Sequence, residues 1–194
     1  MASTSKKMIL PPALGSYAAI FKPRTFEEGK PPKFSIVLIW PKEDVEKLRP
    51  VMKAIVECAK EKFGDKAAEM LKGGKLKNPL RDGDEERADD PAFKGCYFMT
   101  ASAQADRQPG VVDAKVQPVF EEGEAYSGCT FRASVALFAF ERAGNKGVAV
   151  GLNNLQVLKK GPRLDGRKNA EADFSEFKEE GGDEKAAAGA DDLL

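Results

Sequence analysis

The stretch Ser127–Phe140, SGCTFRASVALFAF, constrains the fold more than any other part of the chain. Successive side chains of a strand point to opposite faces. Cys129, Phe131, Ala133, Val135, Leu137 and Ala139 therefore share one side, and Thr130, Arg132, Ser134, Ala136, Phe138 and Phe140 share the other. The first set is apolar throughout and reads as core. The second begins polar and basic and ends in two aromatics, which is not a face that a sheet ordinarily turns to water.

Such a strand needs partners, and the flanking sequence supplies them. Tyr17–Phe26 reads as a first strand that breaks at Pro23, and Phe34–Pro41 is apolar on both faces, as a central strand is. Asp44 then caps a helix whose Leu48, Met52, Ile55, Ala59 and Phe63 recur at helical spacing before Gly64. Pro50 inside it costs about 3 kcal/mol, which predicts a kink or a break into two helices. Cys96–Ala103 is the next strand, with Phe98, Thr100 and Ser102 on one face and Tyr97, Met99 and Ala101 on the other. A short segment follows near Val116–Phe120. Ala143–Gly147 has hairpin-turn residues, and the alternation of Val148–Leu158 slips at Asn153-Asn154, which predicts a bulge. The pattern is mainly β: a five-stranded, mostly antiparallel barrel with one helix inserted after the second strand.

At 194 residues, 42% hydrophobic and 32% charged, the chain suffices for one domain with a core. It has no histidine, which removes His-based general bases, Ser-His-Asp and Cys-His arrangements and His-ligated zinc. Cys58, Cys96 and Cys129 are odd in number and far apart, so they read as free, buried thiols in a reducing compartment. The apolar run near the N-terminus is too short for a signal peptide, and no run reaches membrane-spanning length, so a cytoplasmic location is expected. Phosphate-binding glycine motifs are missing. The acidic run Arg81–Asp90, RDGDEERADD, lacks the order of a calcium loop. A magnesium-dependent nuclease or junction enzyme built on Asp82, Asp84 and Glu85 is the alternative reading. The plainer one is that these acids are solvated or paired with Arg81 and Arg87. No catalytic residue, metal or cofactor is expected, and the chain does not read as an enzyme.

The zero formal charge conceals an asymmetry. Residues 171–194 hold nine Asp/Glu against Lys178 and Lys185, a net of −7, which leaves +7 on residues 1–170. Like charge, few apolar residues and Gly/Ala runs predict a disordered acidic tail over 175–194. Such a tail serves solubility, or it acts as a tethered polyanion competing for a basic groove. A basic body calls for a polyanionic partner. Single-stranded nucleic acid is held by a basic groove with aromatic platforms, since every nucleotide has a phosphate and every base a π-face. Phe98 and Phe138 are the candidate platforms, though Phe138 and Phe140 could equally form a second small core. Lys22, Arg24 and Lys33 around the first turn, with Arg107, Arg132 and Lys146, are the candidate phosphate contacts.

Several ordered motifs strengthen this reading: NPLRDGDEERADDPAFKGCYFMTAS, PGVVD, YSGCTFRASVALFAF, NKGVAVGLNNLQVL and GRKNAEADF, after FSIVLIWPK. Together, across residues 14–174, they resemble the bacteriophage single-stranded DNA-binding protein family first catalogued as a domain of unknown function. The resemblance implies an OB-fold domain over 14–174 after a flexible 1–13, and sequence-nonspecific binding of single-stranded DNA in phage replication or recombination. It also implies replication or recombination proteins as partners of the acidic tail. The terminal aromatic that often closes such tails is replaced here by Leu193-Leu194.

Overall fold

The computed structural model describes residues 6–26 and 28–164. The chain runs β1 (Lys6–Ile9), β2 (Ala13–Arg24), β3 (Lys33–Pro41), α1 (Val45–Phe63), α2 (Ala67–Lys72), β4 (Arg81–Asp82), α3 (Gly83–Glu86), β5 (Cys96–Gln104), β6 (Gly110–Val112), β7 (Thr130–Arg142) and β8 (Asn145–Lys159). Five strands close into a ring, each paired with the next in the order β2, β3, β5, β8, β7 and back to β2. A closed ring with an odd number of strands cannot alternate direction all the way round. One neighbouring pair must be parallel, and it is β5 with β8, at Ser102 opposite Gly151. The expected antiparallel barrel thus carries one parallel seam.

The alternation of β7 holds along its length. Cys129, Phe131, Ala133, Val135 and Leu137 are fully buried, Ala139 nearly so, while Arg132 is exposed and Phe138 and Phe140 are half-buried. They meet Ile36, Leu38 and Trp40 of β3 and Met99 and Ala101 of β5 in the main core. Helix α1 covers β7 and β8, burying Leu48, Val51, Ala54, Ile55, Cys58 and Ala59. Met52 and Phe63, expected in the core, are only partly buried. Pro50 lies within an unbroken helix. Its ring is on the exposed side, and only the Glu46 carbonyl loses its donor, near an end where water can serve instead. The β7–β8 turn places Ala143 and Gly144 at φ 48° and 76°, as a two-residue type I′ hairpin requires. In β8, Ser134 faces Asn154 and Val135 faces Leu152, so Asn153 is the extra residue of the expected bulge.

Three expectations change. Residues 6–13 are not a loose leader, because β1 pairs with β7 from Lys6 opposite Leu137 to Ile9 opposite Ser134. Strand β2 reaches β7 only at Thr130 and Phe131, so the edge of β7 beyond is open, and β1 fills it. The Lys6–Glu57 ion pair ties β1 to α1. Strand β2 also runs through Pro23 to Arg24. The segment near Val116–Phe120 is loop, and the short strand there is β6, parallel to β8. Cys58 and Cys129 are buried and Cys96 is half-buried, all as free thiols.

The connection after α2 is pinned across β8. The Lys77 N–H donates to the Lys146 carbonyl at 2.9 Å, and the Val148 N–H donates to the Lys77 carbonyl at 3.0 Å. A Cβ on Gly147 would lie 2.4 Å from that Lys77 oxygen. Gly147→Ala is therefore expected to cost roughly 1–3 kcal/mol by overpacking, read as a fall in melting temperature of about 2–4 °C per kcal/mol.

Candidate nucleic-acid interface

A groove of about 1320 Å³ opens on the outer side of β5, β8 and β7. Thr100 and Ser102 of β5, Ala149 and Gly151 of β8, and Ala136, Phe138 and Phe140 of β7 line it. The strand registers set these residues in rows. Ser102 is opposite Gly151, Gly151 opposite Ala136, and Ala136 opposite Lys7 of β1. The connection from Lys72 to Asp82 borders the groove, fixed by the Lys77 bridge at one point and by β4 pairing with β5 at another. Lys7, Lys33, Lys72, Lys77, Arg81 and Arg107 also line it, against Asp82, Glu85 and Glu86. Two of the three acids are engaged, and most of the bases are not. Asp82 pairs with Lys42 and Glu86 with Arg81. Among the described residues, Lys7, Lys33, Lys72, Lys77 and Arg107 have no carboxylate within 4.0 Å. The result is a positive groove with a half-buried aromatic side.

The sequence candidates divide. Arg24, Lys33 and Gln104 stand side by side across β2, β3 and β5, and the Arg107 N–H donates to the Gln104 carbonyl at 2.9 Å. The structure thus brings Lys33 and Arg107 to one end of the groove, with Arg24 beside Lys33 but outside the lining, while Phe138 lines its side. Lys22 points elsewhere, pairing with Glu122 at 3.3 Å. Arg132 is exposed on β7 six residues before Phe138, about 20 Å along the strand, and does not line the groove. Lys146 sits at the hairpin beside the Lys77 bridge, outside the lining.

Phe98 is a correction. Its ring is 0% exposed, edge-on to Phe93 at 5.0 Å between centroids, with the Arg81 guanidinium 4.3 Å from its centroid. It joins Val37, Ile39 and Phe93 in a second small core, so no face is left for a base. The small core expected as one possibility for Phe138 and Phe140 has formed around Phe98 instead. Lys7, Lys72, Lys77 and Arg81 were not anticipated in the groove. The density of cations in KGGKLKNPLR, residues 72–81, was the signal available for three of them.

The acidic run is the scaffold of that second core. Asp82 and Asp84 both pair with the Lys42 ammonium, at 2.6 and 2.8 Å. Asp82 caps α3 by accepting from the Asp84 N–H, and Asp84 accepts from the Gly95 N–H at 2.8 Å. Tyr17 donates to Asp90 at 3.1 Å, and the Arg87 guanidinium lies 5.2–5.9 Å from the Tyr17, Phe93 and Phe98 rings. Tyr17 reaches this loop from an irregularity in β2, with φ 48°. Carboxylates committed to Lys42 and to backbone amides are not arranged as a divalent-cation cradle. Among the described residues no group of three or more His, Cys, Asp or Glu converges as metal ligands. Nothing here favours the nuclease alternative. The Lys42 hydrogen bond, then the Gly95 N–H, holds the Asp84 carboxyl below the usual aspartate range. The hydrogen bonds it donates to Asp82 and Asp84 hold the Lys42 ammonium above the usual lysine range.

Comparisons with known proteins place this arrangement. The family described as Enterobacter phage Enc34, ssDNA-binding protein, matches residues 6–185, so the match takes in β1. Protein p50 of Acyrthosiphon pisum secondary endosymbiont phage 1 is 26% identical over 156 residues, covering 78% of this chain and 82% of that one. The single-stranded DNA-binding protein from bacteriophage Enc34, solved in complex with ssDNA, superposes with a TM-score of 0.68 at 21% identity, covering 81% of this chain and 89% of that one. Gp2.5, a single-stranded DNA-binding protein encoded by bacteriophage T7, superposes with a TM-score of 0.59 at 17% identity, covering 94% and 100%. At those identities the two structures speak for the fold.

Two outcomes check the local assignments. Phe98→Ala should cost about 3–5 kcal/mol of stability, as deletion of a fully buried phenyl does, and Phe138→Ala distinctly less, read by denaturant unfolding. The acidic loop gives the second. Asp84 ionises more readily folded than unfolded, so its contribution is present above about pH 4 and is lost on acidification below it. Lys42 contributes below the ordinary lysine range and loses its effect as pH rises through its raised value. The Asp84–Lys42 term should therefore be flat across neutral pH, and the melting curve of Asp84→Asn should converge on the wild type only at the acid end. High salt should shrink the difference, because the pair is exposed.

Proposed function

Because the chain belongs to the family of the Enterobacter phage Enc34 single-stranded DNA-binding protein, we propose that its groove binds single-stranded DNA without sequence preference, in phage DNA replication or recombination. The observation that carries this is the groove itself: Lys7, Lys33, Lys72, Lys77 and Arg107, without a carboxylate partner among the described residues, beside the half-buried Phe138 and Phe140 rings. Cations track the phosphates, and rings take bases of any sequence, which is what sequence-tolerant binding needs. In OB-folds the loop between the first two barrel strands borders the ligand. Here that is the β2–β3 connection, where Phe26 is 58% exposed between Arg24 and Lys33 and serves as a further stacking ring.

The protein acts without catalysis, in the cytoplasm of the infected cell. Among the described residues no helix is long and apolar enough to cross a membrane. The acidic segment 175–194 lies outside the described residues. Its charge suits it to compete with DNA for the groove, and to dock replication or recombination proteins.

Fluorescence-anisotropy titration of labelled single- and double-stranded oligonucleotides at several salt concentrations tests the reading. Single strands should bind more tightly than duplex, with a log–log salt slope of about −0.7 per phosphate contacted. Lys33→Ala and Arg107→Ala should each make that slope shallower by about 0.7. Phe138→Ala should weaken binding by about 1–3 kcal/mol with the slope kept. A chain ending at Phe174 should bind more tightly than the full chain if the tail competes. No binding by the full chain or the truncated one at low salt would sink the proposal.

A further inference from the structure

Gly147 and Gly151 stand four residues apart on the same face of β8, in the interior of a long strand. Glycine weakens a strand there, so each position calls for a reason. At Gly147 the chain supplies one, since the Lys77 backbone crosses close above it. At Gly151 it does not. Gly151 is not among the glycines with positive φ. The atoms nearest a Cβ built on it would be the Ala136 carbonyl oxygen at 3.5 Å, Phe138 Cε1 at 3.6 Å and the Ala136 Cβ at 3.9 Å. These are ordinary van der Waals contacts, and alanine fits without displacing anything. Steric room among the described residues thus does not demand a bare backbone at this point.

The position is nevertheless a particular one. Gly151 lines the groove in the row Ser102, Gly151, Ala136, with the Phe138 ring against it. A strand-interior glycine marks a bulge, a bend or the close approach of a backbone or ligand. The bulge here falls at Asn153, and Gly151 itself pairs regularly with Ala136 and faces the groove, where a ligand can approach. We infer that Gly151 is the floor of a nucleobase site, in which one base stacks on the Phe138 ring and lies across the uncovered backbone of Gly151. Thr100 accepts from the Arg81 guanidinium at 3.1 Å, so its hydroxyl proton is left to donate. Ser102 has no hydrogen-bond partner among the described residues. Either hydroxyl can serve a base edge of any identity, since a hydroxyl both donates and accepts. The site would thus accept all four bases and reject bulk from below.

This inference rests on the proposed binding of single-stranded DNA, and the experiment separates the two. Full-length Gly151→Ala and Gly151→Val are compared with the wild type by thermal melting and by titration with oligo-dT and with an abasic oligodeoxynucleotide of equal length. Melting temperatures should hold or rise, because both residues suit a strand better than glycine does. Affinity for oligo-dT should fall at least about fivefold for Gly151→Val, the least that loss of one stacked base entails, and less for Gly151→Ala. The salt slope should stay unchanged, since no cation is altered. On the abasic strand the variants should match the wild type. Equal binding of oligo-dT by wild type and Gly151→Val would overturn the inference and leave the proposed function standing. So would a lowered melting temperature, which would return the glycine to the fold, or an equal loss on both probes, which would put the obstruction in the path of the backbone. A wild type that binds neither probe would overturn the function and the base site together.

Discussion

The barrel exists because β2 and β7 meet, and they meet over a very short seam. Two residue pairs, Ala13 with Phe131 and Leu14 with Thr130, make the ladder. The Gly15 N–H to Cys129 carbonyl bond and the Gly128 N–H to Gly15 carbonyl bond extend it. The fully buried Phe131 ring lies so close on Gly15 that a Cβ there would be 2.4 Å from it. Everything else follows from that closure. It leaves the far edge of β7 open for β1, and it brings β8 round to β5 in the parallel sense that an odd ring demands. It also sets β5, β8 and β7 side by side as the floor of the groove.

The fold was legible where a single strand carries its own pattern. The six alternating apolar positions from Cys129 to Ala139 are all buried, the β7–β8 turn falls on Ala143-Gly144, and the bulge falls at Asn153. These features are local, and period-two alternation or turn chemistry specifies them completely. Strand β1 was not legible, because Lys6–Ile9 is short and half basic. It is a strand only because β7 offers an unpaired edge to whatever lies nearest. The same holds for Tyr17, whose ring is drawn to Asp90 and Phe93 by partners seventy or more residues away in sequence.

The site was half legible for a related reason. Alternation correctly put Phe98, Thr100 and Ser102 on one face of β5. It could not say that the same face would be covered at one end and open at the other. The cover comes from residues 83–95, a segment so polar that nothing in it but Phe93 advertises a core. Lys42 gathers Asp82 and Asp84, the loop closes, and Phe98 is sealed beneath it while Thr100 and Ser102 stay in the open groove. Likewise, a count of cations finds Lys33 and Arg107 together with Lys22 and Arg132. Only the pairing of strands separates those at the groove from those that are not.

The Lys72–Asp82 border of the groove is held by main-chain bonds at both Lys77 and Arg81–Asp82. A wall so tethered has its width set when the protein folds, not when a ligand arrives. Its ordering entropy has already been spent, so the free energy of each new contact goes into holding the ligand instead of shaping the cleft. The entropic burden of association then falls mainly on the DNA, whose flexible backbone must straighten to follow a path that is already there.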